Sequence, residues 1–171
     1  MGCLIDPENY MLPRELSVSF TGHRLRKLPW GADERDLRCI DFKRRLEEEI
    51  IKAYDEGARY FLSGMADGVD IYAAEAVLSL SRSREGMKLV CVFPYGRGSD
   101  LRTIRCASKA FAVVSVCGAY SPGCFQKRNS FLVKHSRRII CGYSGDLTSG
   151  TAATIRLAIR EGITPVIINI D

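Results

Sequence analysis

The chain has 171 residues, 46% of them apolar and 26% charged, with a formal net charge of +5. That length is enough for one ordinary domain with its own core, and the composition excludes a disordered, fibrous or collagen-like chain. No apolar run approaches the roughly 20 residues that span a bilayer, and the start MGCLIDPENYMLPREL lacks the basic end and greasy core of a signal peptide, so a cytoplasmic protein with no membrane partner is expected.

Residues 1–15 read as an irregular N-terminal arm ahead of a domain over 16–171. Residues 16–20 (LSVSF) predict a short strand that ends in Thr21-Gly22-His23-Arg24. Over 33–56, Cys39, Phe42, Leu46, Ile50 and Ala53 recur at three- and four-residue spacing among charges, and Gly57 follows, which is the pattern of an amphipathic helix with a glycine stop. A second strand is expected over 59–63, then a loop from Gly64 to Gly68 and an alanine-rich helix over 69–80. Residues 87–93 are apolar almost throughout and stop at Pro94, as in a strand buried on both faces of a parallel sheet. A short basic helix over 101–109 and a strand over 111–116 come next. Pro122-Gly123 then precedes a helix over 125–135, with Phe125, Phe131 and Leu132 expected to face the core. A strand over 138–142, a helix over 151–161 ended by Gly162, and a strand over 165–170 complete the chain.

Strand and helix alternate almost without exception. This predicts a single Rossmann-like α/β domain: a mainly parallel sheet of about six strands, joined by right-handed crossovers and covered by helices on both faces. Such sheets bind ligands outside the carboxyl ends of their strands, where the strand order reverses.

Three strand-end loops carry glycine beside small or hydrogen-bonding residues: Thr21-Gly22-His23-Arg24, Ser63-Gly64-Met65-Ala66-Asp67-Gly68, and Ser149-Gly150-Thr151. Glycine admits close approach of a ligand to the backbone, and the helix start that follows favours an anion such as phosphate. None of the three is a P-loop or a GxGxxG fingerprint. Arg24 is suited to clamp a phosphate and His23 to act as a titratable donor, although a surface ion pair and a packed imidazole would look the same. Asp67 and Asp70 flank the second helix start, where acids stabilise the helix dipole; alternatively Asp70 or Asp67 accepts hydrogen bonds from ribose hydroxyls or orients a water, with Glu75 a more distant candidate.

Between Arg97 and Arg138 nine Lys or Arg face the single acid Asp100, a balance of +8 within an overall +5. Such a stretch steers phosphates or forms a solvated helix face. Cys91, Cys117 and Cys141 lie in apolar strand-like runs and read as small hydrophobes; with seven widely spaced cysteines and no CxxC pair, no metal site is expected.

These loops resemble those of the SLOG superfamily, the Rossmann-like group that joins the DNA-processing DprA/Smf proteins to the LOG phosphoribohydrolases, and more closely those of its bacterial YpsA-like members. The similarity runs through Phe20-Thr21-Gly22-His23-Arg24, Ser63-Gly64-Met65-Ala66-Asp67-Gly68-Val69-Asp70 with Ala73-Ala74-Glu75, Gln126-Lys127-Arg128-Asn129, and Ser149-Gly150-Thr151-Ala152. The resemblance implies a homodimer and places Arg128 and Asn129 with the three loops as ligand-binding residues. It also implies three functional alternatives. The first is binding of a nucleotide or a nucleotide-derived, ADP-ribose- or NAD-like ligand in a sensory or regulatory role. The second is a nucleoside-phosphate N-glycosidase resting on Asp70 or Glu75, because Thr154 stands where the LOG motif PGGxGTxxE has its acid. The third is single-stranded DNA binding, with Tyr120, Phe125 and Phe131 as stacking groups. No cofactor is assigned beyond such a bound nucleotide.

Overall fold

A computed structural model of the chain describes residues 2–170; Met1 and Asp171, the outer ends of the expected arm and domain, lie outside them. Seven strands form one sheet: β1 (Cys3–Ile5), β2 (Ser17–Gly22), β3 (Tyr60–Ser63), β4 (Lys88–Tyr95), β5 (Ala112–Cys117), β6 (Arg138–Tyr143) and β7 (Val166–Asn169). Their order is β1-β5-β4-β3-β2-β6-β7, and every pairing is parallel. From β2 the chain steps outward through β3, β4 and β5, then returns to place β6 on the other side of β2. The order therefore reverses between β2 and β6.

Five helices connect the strands: α1 (Leu37–Asp55), α2 (Val69–Leu80), α3 (Leu101–Lys109), α4 (Cys124–Lys134) and α5 (Gly150–Arg160). α1, α2 and α3 cover one face and α4 and α5 the other. Alternate strand residues serve the two faces, as the pleat requires: Phe61 and Cys91 join the core under α1 and α2, whereas Leu62, Val90 and Val92 pack beneath α4. In α1 the five expected apolar positions are all buried, and Asp36 caps the helix by accepting from the Arg38 amide at 2.8 Å. Among the described residues no helix is long and apolar enough to cross a membrane.

The seventh strand is β1, which lies within the segment expected to be an irregular arm. It pairs Cys3, Leu4 and Ile5 with Ala112, Val113 and Val114 of β5 at the sheet edge. A three-residue strand held by one neighbour has too short a pattern to stand out in sequence. Pro94 does not stop β4, because β3 ends opposite Cys91 and beyond that point β4 has only β5 to pair with. An amide facing the vacated side has no acceptor to lose, so proline is tolerated there.

Candidate functional site

The carboxyl ends of β2, β3, β4 and β6 open onto two adjoining cavities, each of about 440 Å³, inside the range of about 300–1,000 Å³ usual for small-molecule sites. One lies at the reversal of strand order, and we term it the switch-point cavity. The other, the lateral cavity, lies beside it over β4. Arg24, Ala66, Phe125 and Arg128 line both and form the wall between them.

In the switch-point cavity, Thr21, Gly22 and His23 from the end of β2 meet Ser149, Gly150 and Thr151 from the start of α5. Ser149 caps α5 by accepting from the Ala152 amide at 3.1 Å. The first-turn amides of Gly150 and Thr151 have no intrahelical acceptor and carry the positive end of the helix dipole. Asn129 and Arg128 enter from α4 and Asp70 from α2. Arg26 and Lys27, which were not singled out in sequence, add charge to the rim; Lys27 forms a close ion pair with Asp146, which holds that carboxyl well below the usual range.

His23 is 2% exposed and joins three elements. The Ser144 amide donates to His23 Nε2 at 3.3 Å, and the Ser144 hydroxyl lies 2.8 Å from the same nitrogen. The proton then belongs on Nδ1, directed at Thr151 Oγ1 at 3.5 Å. Burial, reinforced by the Lys27 charge and opposed by Asp146, lowers the imidazole pKa below its ordinary value. A neutral ring fixing β2 to β6 and α5 fits these contacts better than an exchangeable donor does.

The 64–68 loop is held from below. The Ser63 hydroxyl donates to the Asp70 carbonyl at 2.7 Å and accepts from the Met65 amide at 3.2 Å. Arg128 donates to the Gly64 carbonyl, with its Nη1 3.4 Å from Asp70 Oδ2. A β-carbon at Gly64 would fall 2.8 Å from both Arg128 Cζ and Asp70 Oδ2, so only glycine lets the guanidinium reach that carbonyl. Gly68 has φ +90, and a β-carbon there would sit 2.5 Å from the His23 carbonyl. That is the point where α2 begins against β2, with the Val69 amide donating to His23.

Asp70 and Arg128 form a buried pair, with side chains 6% and 8% exposed. Burial pushes the Asp70 carboxyl above the ordinary carboxylate range, against the pull of Arg128. Asp70 Oδ1 and Arg128 Nε have no hydrogen-bond partner among the described residues. In a site of this polarity such atoms are ones a ligand hydroxyl or a water would satisfy.

The lateral cavity takes Gly64, Met65, Ala66 and Asp67 from the second loop, but its outer wall is the segment from Phe93 to Asp100, which sequence reasoning missed. The signal present was Gly96 and Gly98 on either side of Arg97, ahead of a helix capped by Asp100. Phe125 was expected in the core, yet it is 37% exposed and lines both cavities, with Arg24 Cζ 5.6 Å from its ring centroid. Arg24 also lies 3.7 Å from Asp67. Phe131 is buried against Tyr10 and is not available for stacking, whereas Tyr120 is 67% exposed.

Of the other expected residues, Ser63 and Gly68 support the loop from beneath and do not line either cavity. Glu75 points elsewhere: Arg102 donates to both of its carboxylate oxygens, at 2.7 and 2.6 Å, and also holds Glu34. Of Asp70 and Glu75, Asp70 alone lines the switch-point cavity, and Asp67 lines the lateral one. Thr154 is buried, and its hydroxyl donates to the Gly150 carbonyl at 3.0 Å. The basic 97–138 stretch is divided in the fold, with Arg102, Arg128 and Arg138 each engaged with acids.

No curated protein matches the chain. Among solved structures it resembles DNA processing protein A from Helicobacter pylori, described for its unique single-stranded DNA binding mode, with 20% identity and a TM-score of 0.62; the match covers 90% of this chain and 65% of that one. At that identity the likeness is one of fold. The model of the YspA SLOG family matches residues 18–161, which take in all three glycine loops and the Arg128-Asn129 pair. The chain belongs to the YspA SLOG family.

Proposed function

We propose that the switch-point cavity binds a nucleotide or a nucleotide-derived, ADP-ribose- or NAD-like ligand, in a sensory or regulatory role. The observation that carries this reading is the meeting of unlike groups in one cavity: the α5 amino end, the cations Arg24, Arg26, Lys27 and Arg128, and the buried carboxyl of Asp70. The helix start and cations suit a phosphate, with Arg24 and Thr151 as anion contacts. The Asp70 carboxyl suits a sugar hydroxyl.

Titration calorimetry of the full chain with adenosine monophosphate and ADP-ribose tests the proposal. Saturable binding is expected, and it should be unchanged in Glu75→Gln, whose side chain lies away from the cavity. Absence of heat with every nucleotide, from protein that keeps its far-ultraviolet circular dichroism, would sink it.

A second reading, single-stranded DNA binding, draws support from the fold shared with the Helicobacter pylori protein and from the exposed Tyr120 and Phe125. Phosphate-driven binding weakens steeply with salt. An oligothymidine gel shift that is lost between low and moderate salt would favour this reading over the first.

A further inference from the structure

The lateral cavity carries a feature that a phosphate site does not need. Tyr95 at the end of β4 packs edge-on against Tyr120 (centroids 5.5 Å apart, 80° between planes) and against Phe125 (6.2 Å, 81°). All three rings remain more than a third exposed. Each edge-to-face contact covers one ring face and Arg24 lies over Phe125, yet the three residues keep this exposure, and exposed aromatic surface beside a cavity is a common mark of a ligand groove. The lining beside them is mixed, with Met65, Phe93 and Pro94 as well as Asp67, Asp100 and Thr103. The wall separating this cavity from the phosphate site includes Arg24, whose side chain is 45% exposed and lies over the Phe125 ring.

We propose, resting on the nucleotide-binding reading above, that the ligand is two-lobed. One nucleoside phosphate occupies the switch-point cavity, a second base or comparable flat ring lies against Tyr95 and Phe125 in the lateral cavity, and the phosphates that join them pass Arg24. Two cavities of equal size sharing a cationic wall match a dinucleotide joined by pyrophosphate. A mononucleotide would leave the aromatic side unused. Tyr95 is then a specificity-determining residue that selects dinucleotides over mononucleotides.

The test is calorimetric titration of the full chain with adenosine monophosphate, adenosine diphosphate and diadenosine pyrophosphate. Base stacking on an aromatic side chain is worth enough for about a ten-fold gain, so diadenosine pyrophosphate should bind about ten-fold or more tightly than the diphosphate, which has the same phosphate link but one base. Tyr95→Ala should remove that advantage and leave adenosine monophosphate affinity unchanged, and Tyr95→Phe should restore it. Unchanged monophosphate binding also shows that Tyr95→Ala is folded. Equal affinities for the diphosphate and diadenosine pyrophosphate would overturn the two-lobed ligand while leaving the nucleotide reading intact. So would a Tyr95→Ala variant that weakens all three ligands alike, or an oligothymidine that binds more tightly than diadenosine pyrophosphate. Failure of every nucleotide to bind would remove both proposals together.

Discussion

Replacing Arg128 by methionine strips the buried Asp70 carboxyl of its partner, and the cost follows from proton uptake. Unpaired and desolvated, Asp70 takes up a proton rather than hold a charge in the protein interior. In the unfolded chain it ionises near the usual aspartate value of about 3.9, so at pH 7 the folded variant must carry a proton that the unfolded one has released. That gap of about three pH units, at about 1.4 kcal/mol each, sets an upper bound of about 4 kcal/mol on the cost. The sign is fixed by linkage: a carboxyl whose folded pKa is raised gives stability below its unfolded pKa and loses it as pH rises. Because Asp70 is already raised in the parent, with Arg128 opposing the rise, Arg128→Met should lose less than this relative to the parent at pH 7 and less again at pH 5, where the bound is about 1.5 kcal/mol. Asp70→Asn behaves differently, because the guanidinium left behind cannot shed its proton; its cost, about 3 kcal/mol or more, should vary little over the same range. Replacing both residues, as Asp70→Leu with Arg128→Met, should recover most of the loss. Urea unfolding followed by circular dichroism at the two pH values measures all four proteins. If Arg128→Met loses the same stability at pH 5 as at pH 7, the reasoning about Asp70 is wrong.

Gly68→Ala should cost about 2–5 kcal/mol, combining a left-handed backbone with the close His23 carbonyl, whereas Gly57→Ala, at φ +103 with open space around it, should cost about 1 kcal/mol; equal melting shifts for the two would show that the contact between α2 and β2 is unimportant. The buried His23 and the half-buried His135 are both held below the ordinary imidazole value, so the unfolded chain takes up protons first and stability should fall as pH drops through about 6.5. His23→Gln should flatten that decline in urea titrations, and a variant whose pH profile overlays that of the parent would refute a neutral His23.

Much of the fold was legible because its signals are local. The spacing of Phe42, Leu46 and Ile50 marks α1 without reference to any other segment, and the alternation of elements implies the parallel sheet. The three glycine loops were legible for a related reason: the rule that strands in such sheets present their carboxyl ends to ligands converts sequence position into spatial position. What escaped depends on partners far along the chain. β1 exists only through β5, and Pro94 is harmless only because β3 ends early. Phe125 reads as a core residue from its helical spacing, but it lies at the rim of two cavities against Arg24, about a hundred positions earlier. Glu75 belonged in sequence to the Asp70 helix, but it lies away from the cavity, paired with Arg102, which also holds Glu34. Helical phase alone, without the neighbouring α1 and α3, did not exclude it from the site.

The placement of β6 beside β2 also has a bearing on how the protein is made. Residues on the two sides of the reversal are separated by 121 positions at the His23–Ser144 contact, so β2 and β3 leave the ribosome long before β6 and α5 exist. At about 5–20 residues per second, the early strands wait several seconds with one edge of β2 unpaired. During that interval the nascent chain has the 64–68 loop but not the α5 amino end. Any ligand of the switch-point cavity can therefore stabilise only a finished molecule, and the N-terminal half must stay soluble unaided until the last quarter of the chain arrives.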